Sequence, residues 1–379
     1  MKMRGAVLYE QGLPRPYSQS NPLKIEMLDL EGPQRNEVLV EIRAAGLCHS
    51  DMSTIEGIRA RPIPTVLGHE AAGIVREVGP GVTDLKEGDH VVCVFVMSCG
   101  ECYECTHGTP HLCGASFDSK MKGELVGGGR RLSVNGKPVN HAAGISCFAE
   151  YAVLDRSSLV KLPDDITFED AALFGCAVIT GVGAVTNTAK AQPGQPVAVF
   201  GLGGVGLSAV MGAALAGAEP IVAVDLNEEK MALAKTLGAH FTVNASEGTE
   251  RTAEAIKEVT GGGVMHAIEL SGTVKGMDAA YASLRSGGTV TVAGLTPADA
   301  VFELKPYMLT AKEFKIQGCY MGSCSPPEDM PRFVDYYRNG KLPVDKLRTG
   351  ELGLEGINEG FENLAAGTAI RQILKPHGQ

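Results

Sequence analysis

The pattern of apolar and polar positions divides the chain in two. Through residues 1–177 apolar residues come in short alternations such as Val38-Leu39-Val40-Glu41-Ile42 and Ala72-Gly73-Ile74-Val75, punctuated by Gly, Pro and Asp. Alternation of that kind predicts short strands joined by turns, so this region reads as β-rich. From 178 to 321 short apolar runs alternate with helical stretches, among them 204–217 and 228–238. The runs are Pro196-Val197-Ala198-Val199-Phe200, Ile221-Val222-Ala223-Val224-Asp225, Phe241-Thr242-Val243, His266-Ala267-Ile268-Glu269-Leu270 and Thr289-Val290-Thr291-Val292-Ala293. Near-continuous apolar strands alternating with helices predict a parallel, doubly wound α/β sheet covered on both faces. The tail, 322–379, is too short for a domain and is expected to return to the first one.

Composition supports two domains, since 379 residues exceed what one core usually spans. Hydrophobic residues make up 44% and charged residues 21%, the balance of a folded globular chain. The net charge of −10 argues against nucleic acid or an anionic membrane as partner. No stretch is expected to approach the roughly 18 apolar residues of a membrane span. Glu10 interrupts the N-terminus before a signal-peptide core can form, which points to a cytoplasmic protein. Ten cysteines in such a chain do not suggest a disulfide framework; four of them cluster at 99, 102, 105 and 113, which suggests metal binding.

Gly201-Leu202-Gly203-Gly204-Val205-Gly206 has the spacing of a dinucleotide loop. It follows an apolar run, opens a helical segment, and has Asp225 at the end of the next run. Gly201 permits the tight turn, Gly203 leaves backbone open to the pyrophosphate, and Gly206 lets helix and strand pack closely, with Gly204 and Val205 between them in the cofactor-binding loop. A helix N-terminus then faces the phosphates. Asp225 accepts hydrogen bonds from a ribose 2′-hydroxyl and repels a 2′-phosphate, which favours NAD over NADP. A second glycine run, Gly127-Gly128-Gly129, lacks that context and reads as a surface loop.

Cys99, Cys102, Cys105 and Cys113 (a lobe of about 97–115) suit a closed tetrahedral Zn²⁺ site with no position for water. Four cysteines also serve iron–sulfur clusters, and spacing alone does not exclude one. His107 and His111 lie inside the lobe and read as surface residues rather than ligands. Cys48, His69 and Cys176 could form a second, open site, but they are far apart in sequence, and singly each reads as a core residue.

The chain resembles the zinc-containing alcohol dehydrogenases of the medium-chain dehydrogenase family, nearest the liver-type branch. The resemblance rests on Gly46-Leu47-Cys48-His49-Ser50-Asp51, Gly68-His69-Glu70, the four-cysteine lobe, Gly175-Cys176 with Thr180-Gly181, Gly201–Gly206 and Ile370-Arg371, and covers essentially the whole chain. It implies a β-rich GroES-like catalytic domain (1–177 and 322–379) and a Rossmann NAD-binding domain (178–321). It further implies two Zn²⁺ per subunit and oxidation of an alcohol, held at zinc as its alkoxide, to an aldehyde or ketone by hydride transfer to NAD. Carried over by position, Cys48, His69 and Cys176 would hold the catalytic zinc, with Asp51 orienting His69 and Glu70 able to approach the metal. Ser50 would contact the substrate oxygen. His49 and Arg371 would contact the pyrophosphate, Lys230 the adenosine ribose, and Thr180 the nicotinamide region. For His49, Lys230 and Arg371 a plain solvated charge is the alternative.

The sequence departs from the liver enzymes at Ser53, where they carry a His that ends a proton relay. A hydroxyl cannot act as base near neutral pH, so oxidation should depend on added buffer base. Phe95 is a candidate pocket residue, and Arg59 and Arg61 could favour an acidic or polar substrate. The resemblance also implies a homodimer formed through the strand near 317–322. The alternatives are a dehydrogenase of the glutathione adduct of formaldehyde, a non-catalytic nucleotide-binding protein, and a zinc-free reductase of the same superfamily. The last lacks Cys48, Cys176 and the cysteine lobe.

Overall fold

A computed structural model describes residues 1–378. The chain separates into two compact units: residues 1–176 with 325–331 and 345–378, and residues 177–324 with 332–344. The return of the tail is therefore interrupted. Residues 322–324 and 332–344 belong to the second unit, where Arg332 Nη2 donates to Asn187 Oδ1 at 3.2 Å.

The first unit is built on strands. Lys2–Leu8, Leu23–Leu30, Leu132–Val134, Lys137–His141 and Thr65–Val66 close into a barrel. A seven-stranded sheet runs Leu159–Lys161, His90–Val94, Glu70–Val78, Glu37–Gly46, Arg371–Leu374, Arg348–Leu352, with Tyr151–Asp155 also pairing Glu37–Gly46. The strand Glu37–Gly46 is buried along most of its length, because Val38, Val40 and Ile42 enter a core with Leu67, Val75, Phe148 and Phe361. Its C-terminal end carries the chain into the segment that holds Cys48.

In the second unit six parallel strands lie in the order Phe241–Asn244, Ile221–Asp225, Val197–Phe200, Val264–Glu269, Leu284–Val292, Lys315–Gly318. Val197–Phe200 is buried at all four positions, as expected of a central strand covered on both faces. The order reverses direction beside Val197–Phe200, and ligands of such sheets bind at the strands' carboxyl ends at that switch point. Here that end is Gly201.

One expectation fails. The helical run Phe168–Ala189 has 22 residues, a mean hydropathy of 1.5 and the length and apolarity of a membrane span. It is a core helix, with 83% of its most apolar window buried, and a helix buried all round has no need of a polar face.

Candidate functional site

Three separate segments build a sulfur–imidazole centre in the first unit. The strand Glu37–Gly46 ends at Gly46, where a Cβ would lie 2.7 Å from Glu70 Oε1; glycine leaves room for that carboxylate. Cys48 then takes extended backbone at the N-cap of the helix His49–Ile55, which places Asp51 in its first turn. Gly68 has φ +93° against Phe148 and Cys147, a conformation and a crowding that favour glycine. It turns His69 inward just before the strand Glu70–Val78 begins. Cys176 lies in a π-helical turn, Phe174–Val178, a wider winding often found at functional sites. A Cβ on the preceding Gly175 would meet Cys93 O at 2.4 Å, so the helix can approach the sheet only with glycine there. The candidate ligand atoms of Cys48, His69, Glu70 and Cys176 all lie within 4.8 Å of one another, and all four residues are buried.

The donor set fits a zinc ion. His69 Nδ1 lies 3.1 Å from Asp51 Oδ1, which also accepts the Gly68 N–H at 3.1 Å. That leaves Nε2, buried and without a hydrogen-bond partner, as the nitrogen free to bind metal. A hydrogen bond from Cys176 drives Cys48 well below the usual thiol range, helped by Arg371 and His69, and Cys176 rises correspondingly. Burial opposes a charged His69, but Asp51 and Cys48 outweigh it and lift the imidazole above its ordinary value. Burial raises Glu70 to about 7, with Arg371 pulling the other way.

Arg371 is 2% exposed, which removes the solvated-charge alternative for it. Its Nη1 donates to Leu47 O at 3.3 Å, its Nη2 to Cys48 Sγ at 3.7 Å, and its Nε lies 3.5 Å from Glu70 Oε1. The guanidinium thus supplies positive charge beneath a thiol and a carboxylate that burial would otherwise neutralise. Ser50 Oγ sits 3.2 Å from Cys48 Sγ. The Phe95 ring meets His69 edge to face at 5.3 Å. Ser53 Oγ donates to His49 O at 3.0 Å, and the His49 side chain is exposed.

The other cysteines form a second group in the same unit, Cys99, Cys102, Cys105 and Cys113, again with sulfurs within 4.8 Å of one another. Backbone N–H groups of Cys99 and Cys102 donate to Cys113 Sγ and Cys99 Sγ, each at 3.4 Å. Such bonds favour thiolates, and those from Glu101 and Cys102 bring Cys99 down to about 7. His107 is exposed and stacks on Tyr103. His111 corrects its expectation: it is 8% exposed rather than on the surface, because the turn Pro110–Leu112 folds it inward ahead of Cys113. Cys93, Cys147 and Cys324 are fully buried core residues; Cys319 is half-buried.

In the second unit Gly201 has φ +85° and lies where a Cβ would be 2.7 Å from Ser271 N. A Cβ on Gly206 would come within 1.8 Å of Gly201 O, so the turn and the helix Gly204–Leu215 fit only with glycine there. Nothing lies within 4 Å of a Cβ at Gly203, the helix N-cap, leaving that backbone approachable. Asp225 Oδ2 accepts the Leu202 N–H at 2.6 Å; Oδ1 accepts those of Leu226 and Asn227 at 2.8 and 2.9 Å. Asp225 therefore ties the glycine turn to the end of its neighbouring strand. Val205 and half-buried Lys230 lie in the helices that follow these two strands. Thr180 Oγ1 contacts Met321 Sδ at 3.9 Å.

Glu269 was not singled out in the sequence. It is fully buried, and its Oε1 accepts the backbone N–H groups of Ser271 (2.8 Å) and Gly272 (3.2 Å) and the Ser271 hydroxyl. Its Oε2 would touch a Cβ on Gly294 at 2.5 Å. One carboxylate oxygen thus fixes the loop that abuts Gly201, and glycine at 294 leaves room for the other. The available signal was an acid closing an apolar run just before Ser271-Gly272.

Two sulfur-rich metal sites in a β-rich unit, with a glycine turn on a parallel sheet, define a zinc-dependent oxidoreductase of the dinucleotide-binding type. Residues 34–164 match the model of the alcohol dehydrogenase GroES-like domain and residues 204–338 that of the zinc-binding dehydrogenases. The chain belongs to the zinc-dependent alcohol dehydrogenase family. It is 37% identical to S-(hydroxymethyl)glutathione dehydrogenase of Paracoccus denitrificans, over 99% of this chain and all of that protein. The corresponding enzyme of Synechocystis is 38% identical, with the same coverage. Among solved structures, an alcohol dehydrogenase zinc-binding domain protein from Burkholderia ambifaria superposes with a TM-score of 0.93 at 34% identity, over the full length of both chains. Benzyl alcohol dehydrogenase from Acinetobacter calcoaceticus superposes with a TM-score of 0.91 at 33% identity, over 99% of both chains.

Proposed function

We propose that this chain is an NAD-dependent alcohol dehydrogenase in which Cys48, His69 and Cys176 hold the catalytic zinc and the four-cysteine lobe holds a structural one. The observation that carries the reading is the buried Nε2 of His69, without a hydrogen-bond partner, on a ring whose ligand atom groups within 4.8 Å of those of Cys48 and Cys176. A zinc ion supplies Lewis-acid polarisation of a hydroxyl at an open site and a structural tie at a closed one. Asp51 fixes the tautomer and orientation of His69. Arg371 and Glu70 balance charge beneath the centre, with Arg371 and His49 offered to the pyrophosphate. Ser50 contacts the alcohol oxygen and starts proton removal, releasing its own hydroxyl proton as it takes the substrate's. Gly201, Gly203, Gly204, Val205 and Gly206 form the pyrophosphate turn, Thr180 serves the nicotinamide region, and Asp225 and Lys230 serve the adenosine ribose.

Asp225 supports NAD, since a carboxylate beside the ribose repels a 2′-phosphate. A solved relative from Sinorhizobium meliloti, 25% identical, is bound to NADP, so coenzyme choice needs its own measurement. The names of the Paracoccus and Synechocystis relatives favour a second reading, in which the alcohol is the glutathione adduct of formaldehyde. We also infer a cytoplasmic homodimer, paired through the edge strand Lys315–Gly318.

The test is a rate panel of primary and secondary alcohols and the glutathione adduct, with NAD and NADP in parallel. NAD-linked turnover of at least one alcohol supports the proposal. Turnover confined to the adduct moves it to the second reading, and no turnover of any hydroxyl compound defeats both.

A further inference from the structure

Cys48 and His69 flank strands that are hydrogen-bonded into the seven-stranded sheet, but Cys176 is carried by a helix packed on that sheet. Gly175 sets how closely the helix approaches, through its contact with Cys93 O. Apolar packing is non-directional, so it fixes the slide and rotation of the helix only weakly. The directional ties lie at the start of the helix.

Thr167 caps the helix Phe168–Leu173, and Asp170 completes the cap. Its N–H donates to Thr167 Oγ1 at 3.3 Å, and its Oδ2 accepts that hydroxyl at 2.8 Å. The other oxygen, Oδ1, meets Arg348 Nε at 3.0 Å, and neither atom is open to solvent. Arg348 opens the strand Arg348–Leu352 and lies level with Arg371 on the neighbouring strand, whose guanidinium sits beneath Cys48 and Glu70. Thr349 Oγ1 joins the two strands further by donating to Arg371 O at 3.1 Å. From the far end of the strand pair, Lys375 Nζ reaches Glu169 at 2.9 Å and Glu351 at 3.3 Å. Ion pairs partly open to water hold little. The Asp170 pair is the costly one to break, because losing either partner strands the other's charge away from water.

We propose that Asp170 and Arg348 are positioning residues for Cys176. Their ion pair pins the helix to the strand pair that carries Arg371, and so sets the sulfur where it can share a metal ion with Cys48 and His69. Cys176 follows Asp170 on the same helical run, about 9 Å further along its axis, so a shift at the start of the helix reaches the sulfur. This deepens the alcohol dehydrogenase reading and rests on it.

The experiment follows zinc release to a chromogenic chelator, counted as zinc per chain, in the parent, Arg348→Met, Arg348→Lys and Arg131→Met. The last breaks another buried pair of the same unit, Arg131 Nη2 with Glu37 Oε1 at 2.7 Å, at the opposite end of the strand that leads to Cys48. All are compared at a temperature where each is folded. Arg348→Met should lose the zinc of Cys48, His69 and Cys176 roughly tenfold faster and keep that of the cysteine lobe. With cobalt in place of the labile zinc, its thiolate-to-cobalt charge-transfer band should weaken. Arg348→Lys should recover most of the parental behaviour, and Arg131→Met, though its Tm falls, should release zinc at the parental rate. Parental release in Arg348→Met, or release speeded equally in Arg131→Met, overturns the positioning role and leaves the alcohol dehydrogenase reading intact. A parent that binds no metal beyond the cysteine lobe defeats that reading and the positioning role with it. Should Arg348→Met not fold, Asp170→Asn, which keeps an oxygen for Thr167 but removes the charge, is read against the same outcomes.

Discussion

Asp51 Oδ1 lies 3.1 Å from His69 Nδ1 and accepts the Gly68 N–H at the same distance. One oxygen thus holds both the imidazole and the glycine turn that presents it. In Asp51→Asn the amide cannot match the charge of the carboxylate, and the ring loses its fixed tautomer. Zinc affinity at this centre should fall about 10- to 100-fold, with the four-cysteine site unaffected. Competition with a chelator, read as zinc per chain, checks it. Unchanged affinity would mean that Asp51 serves only the turn.

Metal uptake by the two sites should differ with pH. His69 and Cys176 are both held above their ordinary values, so protons compete with the metal for both. Zinc entry at this centre should therefore release protons and weaken as pH falls. Calorimetric zinc titration in buffers of different ionisation heat measures the protons directly. A pH-independent affinity between about pH 6 and about pH 8 would contradict the proton inventory.

The coenzyme turn gives a separable prediction. In Gly206→Ala the new methyl would come 1.8 Å from Gly201 O, a backbone atom that cannot yield without distorting the turn. The Kd for NADH should rise roughly tenfold or more, while zinc content stays unchanged. NADH fluorescence titration reads the first quantity and elemental analysis the second. Equal affinity in the variant would remove this turn from coenzyme binding.

Ser53 offers a kinetic test. Its hydroxyl is committed to His49 O, and it cannot take up a proton near neutral pH. Alcohol oxidation should therefore speed up with the concentration of buffer base. Ser53→His should reduce that dependence by supplying a titrating group. Equal, buffer-independent rates in both proteins would show that the proton leaves by another route.

The parts of the fold that depend on near neighbours in sequence were legible there. The strands Val197–Phe200 and Ile221–Asp225 are short apolar runs bounded by turns, and the glycine loop lies between them at a fixed spacing. The four-cysteine site is local as well. The second metal group was reached only by resemblance, because Cys48, His69 and Cys176 meet through the sheet and a π-turn, and no spacing encodes that. Arg371 shows the same limit: an arginine in a polar tail reads as a surface charge until the strand that carries it is paired beside Gly46. Glu269 was hidden in an apolar run, where periodicity reports burial but not the three donors around one carboxylate. The run 168–189 was overlooked because Glu169, Asp170, Thr180 and Thr186-Asn187-Thr188 interrupt it, so no continuous apolar stretch stands out although its mean hydropathy is high.

Zinc content and NADH formation, measured together in the parent and in Cys176→Ser, test the account most directly. The parent should carry about two zinc ions per chain and reduce NAD with an alcohol. The variant should keep about one zinc ion, held by the cysteine lobe, and bind NADH as before while forming none from alcohol. A variant with full zinc and undiminished turnover would contradict the assignment of Cys48, His69 and Cys176 as the catalytic metal site.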